Sequence, residues 1–171
     1  MAGTTNKEVA VWTMRLHPDG KEDAFEFCKR EKLIGIGWSL DGDVKIGCVE
    51  CYRRTQQEQE KYTGDVALTK ALNMFEEISK AGKLRLVWVK SPEPENEYYL
   101  CEVTGGYEYC HSGKYAESGI VNFVGCRFYP VEIDEVPGRV IETYSLRGTI
   151  HSVKDEAAVL KSRQLWEKGK S

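Results

Sequence analysis

No stretch of this chain approaches the roughly 18 consecutive apolar residues that a transmembrane helix needs. Met1-Ala2-Gly3-Thr4 leads straight into polar residues, without the charged start and apolar run of a secretory signal. The expected location is therefore the cytoplasm. An excess of positive charge is also missing. The net charge of -3 argues against a nucleic-acid binder that works by bulk attraction and leaves room only for a local basic patch. Internal repeats and low-complexity tracts are absent as well.

Complete catalytic and metal signatures are lacking too. Cys48-x2-Cys51 is half of a zinc pattern, but the only candidate second half is the adjacent pair Cys110-His111, so the six cysteines read as free thiols, most of them half-buried. "GYEYCHSGK" (106–114) has six residues between its glycines and Tyr115 in place of the magnesium-binding hydroxyl, so it fails as a phosphate loop. "GWSLDG" (37–42) puts Asp41 where a nucleophile elbow needs glycine, which makes Ser39 a turn residue. Gln59-Glu60-Lys61 fits the triplet of a restriction-type nuclease, yet no apolar strand surrounds it, and a solvated face is the favoured reading. His17, His111 and His151 sit in separate segments without an orienting partner. The sequence therefore predicts a chain that is not an enzyme and needs no cofactor.

What is present is the balance of an ordinary globular domain. With 171 residues, 41% hydrophobic and 30% charged, the whole chain (1–171) is expected to form one domain. "EVAVWTMRL" (8–16) is apolar on both alternating faces, Ala10, Trp12 and Met14 against Val9 and Val11, and reads as a central strand. A helix over about 21–32 follows, with Asp19 and Glu22 as a capping box. "LIGIGW" (33–38) reads as a buried strand whose glycines imply a close backbone approach. From 39 to 63 the chain turns polar, with a weak helix in "RRTQQEQEKYTG" and no convincing core periodicity. Leu68, Ala71, Leu72, Phe75 and Ile78 mark an amphipathic helix ending near Gly82. Strands are expected at 84–90, 97–104 and 120–133, with a further strand or extended segment in "LRGTIHSV" and a terminal helix from about Ser152. Consecutive strands with two helices inserted early and one late, without βαβ alternation, predict an α+β domain around a curved or barrel-like sheet.

Aromatic residues near polar loops are the functional signal. "YYLCEVTGGYEY" (98–109) packs four tyrosines around a Gly-Gly step. Alternation sends Tyr99, Cys101 and Val103 to one face and Tyr98, Leu100 and Glu102 to the other, so the first two tyrosines support a wall and Tyr107 and Tyr109 are the candidates for a slot. Trp38 and Trp88 lie late in two other strands. Such rings stack on planar bases, worth roughly 1–3 kcal/mol per base.

The order of "VWTMRLHPDG" (11–20), "IGIGWSLDGD" (34–43), "FEEISKAGKLRLVWVK" (75–90), "YYLCEVTGGYEY" (98–109) and "CRFYPVEIDEVPGRVIETYSLRGTIHSV" (126–153) resembles PUA-like domains of the EVE type, as found at the N-terminus of Mrr- and McrB-type modification-dependent restriction proteins and related to YTH readers. The chain departs from the family pattern at Gly82-Lys83, where Gly-Asp is usual, and at Cys101, where a glycine is usual. The resemblance implies a curved β-barrel flanked by helices, with an aromatic pocket for a modified, flipped base. Carried over by position, it assigns Trp38, Ser39, Trp88, Tyr107 and Tyr109 to the pocket and Arg15, Lys114, Arg127 and Arg147 to the nucleic-acid backbone. The implied function is a non-catalytic reader of modified nucleic acid, DNA rather than RNA, in defence or regulation, with a separate nuclease or effector as partner. The alternatives are a small-molecule or nucleotide sensor using the same pocket, and an enzyme acting through Cys101, Cys110 or His111.

Overall fold

The computed structural model describes residues 8–16 and 23–171. His17 and the Asp19/Glu22 capping box lie outside the described residues. The chain runs β1 (Val9–Met14), α1 (Ala24–Glu31), β2 (Leu33–Ile36), α2 (Val49–Glu58), α3 (Val66–Ser79), β3 (Leu84–Lys90), β4 (Tyr98–Val103), β5 (Glu108–Tyr109), α4 (Lys114–Ser118), β6 (Asn122–Val131), a 3-10 turn (Ile133–Glu135), α5 (Gly138–Thr143), β7 (Ile150–Val153) and α6 (Glu156–Lys170).

The strands form a curled, mixed half-barrel sheet in the order β2-β6-β4-β3-β1-β7, with β5 paired to β6, and helices flank it. This is the α+β architecture with a curved sheet that the strand succession predicts. Most pairs join strands that are not consecutive in the chain, and one of them is parallel: β1 with β3, Val11 opposite Leu86. The ten-residue β6 is the hinge of the curl. Its first half pairs with β2, Phe123 opposite Gly35, and its second half with β4, Phe128 opposite Cys101.

Period-2 alternation divides the sheet into two cores. Trp12, Met14, Val87, Val89, Cys101 and Val103 face α1, α2 and α3 on one side. Val11, Leu86, Trp88, Tyr98, Leu100 and Val153 face α5 and α6 on the other. Both faces of β1 are therefore packed, as its alternation implied, and Leu68, Ala71, Leu72, Phe75 and Ile78 of α3 are all buried.

Two boundaries differ from expectation for local reasons. The terminal helix starts at Glu156 rather than near Ser152, because Ile150–Val153 pairs with β1 and Asp155 caps the helix by accepting from the Ala158 N–H at 3.0 Å. Helix α2 starts before "RRTQQEQEKYTG", at Val49, where Cys48 is the N-cap. Cys48 and Cys51 are joined as a disulfide, which corrects the expectation of free thiols at these two positions. Cys28, Cys101 and Cys126 are free and buried, and Cys110 is free and half-buried.

Candidate functional site

Strand β2 ends at Ile36, and residues 37–40 leave the sheet beside the start of β6. A segment leaving a sheet must find new partners for its backbone polar groups. Here side chains supply them in succession. The Asn122 Nδ2 amide donates to the Gly37 carbonyl at 2.8 Å, the Tyr52 hydroxyl to the Trp38 carbonyl at 2.5 Å, and the Tyr62 hydroxyl to the Ser39 carbonyl at 2.6 Å. The Leu40 N–H donates to the Tyr109 hydroxyl oxygen at 2.8 Å. Beyond it, Gln59 accepts from the Asp41 N–H at 2.8 Å and donates to the Asp41 carbonyl at 2.9 Å, while Lys61 pairs with the Asp41 carboxylate. The Gln59-Lys61 stretch thus lies at the surface, as the solvated-face reading has it, and also ties down the loop.

The donors are themselves fixed. Tyr107 donates to Asn122 Oδ1 at 2.5 Å, so the Asn122 amide is oriented by one neighbour and used on another. Tyr52 stacks at an angle on Tyr109 with centroids 6.0 Å apart, and Tyr107 meets Phe75 edge-on at 6.0 Å. Burial, and then the neighbouring phenols, push the Tyr52 hydroxyl far above the ordinary tyrosine range. Burial does the same to Tyr107 and, more weakly, to Tyr109. These phenols stay protonated at neutral pH and act as fixed hydrogen-bonding groups, not as bases.

Within this frame Trp38 has φ 64, a left-handed conformation that costs a bulky residue of order 1 kcal/mol or more. Its ring and the Ser39 side chain are only half-buried, whereas Leu40 beside them is 2% exposed. The arrangement is a loop held by several side chains, with the half-buried Trp38 packed against the same core as Tyr107 and Tyr109. It offers stacking surface, and the phenols beneath it are already committed to the loop backbone.

Trp38, Ser39, Tyr107 and Tyr109 are brought together. Trp88 is not. It is fully buried on the opposite face of the sheet, where its Nε1–H donates to Ser162 Oγ of α6 at 2.9 Å. The reason is the alternation of β3: Val87 and Val89 share the face of the tyrosine cluster, so Trp88 cannot. Trp88→Phe is expected to lower stability by about 1–3 kcal/mol through lost packing and an unpaired bond, with no change in any ligand binding at Trp38. Denaturation and titration of the same variant check both halves.

The four basic residues do not form one patch. Arg15 lies at the end of the sheet marked by Lys90 and Val131 and donates to the Tyr144 and Leu146 carbonyls. The exposed Arg147 lies just before β7, at that same end, because Ile150 pairs with Met14. Trp38 is at the other end of β6, by Asn122. Arg127 sits midway and faces Glu102 at 3.7 Å. Lys114 lies on the same half of the sheet as Trp38 and is paired with Glu31 at 2.7 Å. The described surface grooves of about 650 Å³ by Arg15, Lys90 and Tyr144, and of about 500 Å³ by Val11 and Leu160, also lie away from Trp38.

No family model matches the chain, and no curated protein matches its sequence. Among solved structures, it is similar to the crystal structure of protein Atu2648 from Agrobacterium tumefaciens, with 12% identity, a TM-score of 0.38, and coverage of 91% of this chain and 92% of that one.

Sequence reasoning missed Tyr52, Tyr62, Gln59, Lys61 and Asn122. Two of these carried a signal. Asn122 is a lone amide in the apolar run "IVNFVG", and a polar residue inside a buried strand must have partners. Tyr52 follows Val49 by three, the spacing of one helical face, and both are buried on α2. Tyr62 and Gln59 act through the way the chain returns to the loop, which has no sequence pattern.

Proposed function

We propose that this protein is a non-catalytic reader of modified nucleic acid, DNA in preference to RNA, built on a PUA-like domain of the EVE/YTH type. A modified base, flipped from its stack, packs against the Trp38 ring at the rim of the Tyr107/Tyr109 cluster, and Ser39 supplies a polar contact to its edge. The observation that carries this reading is the strained Trp38. Five side chains, Asn122, Tyr52, Tyr62, Tyr109 and Gln59, hold residues 37–41 in place, and the ring they position is left half-open. Strain held by so many contacts at a half-buried aromatic fits a binding position better than a packing one. The resemblance in motif order supports the same assignment. A cytoplasmic role in defence or regulation, with a separate nuclease or effector as the responding partner, follows from that resemblance.

The test is titration of short duplexes and single strands carrying methylated cytosine, hydroxymethylated cytosine or methylated adenine, alongside unmodified controls. One modified form is expected to bind preferentially, and Trp38→Ala to remove roughly 1–3 kcal/mol of that binding with little change in thermal stability. Equal weak binding to every oligonucleotide, unaltered in Trp38→Ala, would eliminate the reader. One observation favours a second reading, a sensor of a free nucleotide or other small planar ligand. Arg15, Lys114 and Arg127 are already engaged with carbonyls or carboxylates, so a phosphate backbone must compete for them. Thermal stabilisation by nucleosides without nucleic acid would select this second reading.

A further inference from the structure

The loop that holds Trp38 is connected to a pair of cysteines that the reader function does not use. Cys48 is the N-cap of α2 and Cys51 lies in its first turn, the two joined as a disulfide across a two-residue spacer. Cys48 is exposed, and Cys51 is half-buried against the same core as Trp38. The Cys51 N–H donates to Cys48 Sγ at 3.0 Å. The next residue is Tyr52, whose hydroxyl holds the Trp38 carbonyl. The bond therefore closes the turn that carries the buried anchor of the loop.

We propose that Cys48–Cys51 is a reversible redox pair and that its state sets how firmly residues 37–40 are held. A thiolate from a low-molecular-weight thiol or dithiol attacks the exposed Cys48 Sγ. The sulfur–sulfur bond breaks, Cys51 leaves as thiolate and is protonated, and a mixed disulfide remains on Cys48. A second thiol attacks the reductant's sulfur and releases Cys48. The protein takes up two electrons and one proton, on Cys51, and the reductant leaves as its disulfide with its other proton passing to solvent. The released Cys48 thiolate stays at a helix N-terminus, where the Cys51 N–H and the helix dipole stabilise it. Reduction thus has a favourable product in place, while the ring tying Cys48 to the turn before Tyr52 is opened. With the tie gone, the first turn of α2 is closed by its hydrogen bonds alone, and the grip of Tyr52 on the Trp38 carbonyl loosens.

The consequence for base binding rests on the reader assignment, whereas the coupling to Trp38 does not, and the experiment separates the two. The full-length protein is equilibrated in glutathione buffers and in dithiothreitol, and free thiols are alkylated and counted by mass spectrometry. The tryptophan emission of the same samples is compared with that of Trp38→Phe. Cys48 and Cys51 are expected to become alkylated together while the protein stays folded, with a change in the Trp38 part of the emission. Affinity for the preferred modified duplex is expected to fall about fivefold or more on reduction. Cys48→Ser, which keeps an acceptor for the Cys51 N–H, should behave as the reduced form and no longer respond to reductant. Reduction only on unfolding would overturn the proposal, as would reduction with unchanged Trp38 emission. A Trp38 response with no duplex binding in either state leaves the redox coupling standing and removes the reader.

Discussion

Gly35→Ala is expected to cost about 3 kcal/mol or more of folding stability and to dismantle the loop around Trp38 in the same step. Gly35 lies in β2 opposite Phe123 of β6. A Cβ there would run into the Asn122 carbonyl oxygen and lie 2.9 Å from the Phe123 Cα. Both are backbone atoms of a paired strand, so no flexible side chain can yield. Relief requires β2 to move off β6, which breaks the ladder and shifts Asn122. That residue joins the Tyr107 hydroxyl to the Gly37 carbonyl, so the loop loses its first anchor. Gly47→Ala is the control. Its Cβ would meet nothing within 4 Å, and its stability should stay within about 0.5 kcal/mol of the parent. Chemical denaturation of both variants decides the matter, and a Gly35→Ala protein as stable as Gly47→Ala would refute the β2–β6 register.

The second large effect is alkaline. Burial raises the Tyr52, Tyr107 and Tyr144 hydroxyls above their ordinary range, and the buried Cys101 and Cys28 thiols likewise. The unfolded chain therefore releases these protons first. Stability that the phenols contribute is full below about pH 10, the ordinary tyrosine value, and is lost as pH rises beyond it, with the thiols beginning somewhat earlier. For the fully buried Tyr52 the loss approaches about 1.4 kcal/mol per pH unit. Melting temperatures measured from pH 8 to 11 should fall with increasing steepness. Tyr52→Phe should start about 1–3 kcal/mol less stable at neutral pH, because the Trp38 carbonyl loses its donor, and should then show a shallower alkaline decline. An unchanged slope would mean that Tyr52 titrates as freely in the folded protein as in the unfolded one.

Much of the frame was legible because periodicity is a direct consequence of burial. The Trp12/Met14 and Val9/Val11 faces of β1, the Tyr99/Cys101 and Tyr98/Leu100 faces of β4, and the apolar stripe of α3 all go where alternation or helical spacing sends them. The glycine in "LIGIGW" announced a close backbone approach, and at Gly35 there is one. The short elements β5, α4 and α5 were not legible, since two to six residues carry too little pattern. Trp88 was misplaced because its position near a strand end says nothing about which face it takes. That follows only from counting alternation against neighbours whose side is known.

The two-sided burial of β1 and an α+β fold with a curved sheet follow from the sequence alone. These depend on residues adjacent in the chain, whose relative directions are set by backbone geometry. Only the tertiary structure decided which groups meet at Trp38. Tyr52, Tyr62, Tyr109 and Asn122 come from four separate segments, and they converge because the curl of β6 and the return of α2 bring their polar atoms to one stretch of backbone that left its sheet and needed partners.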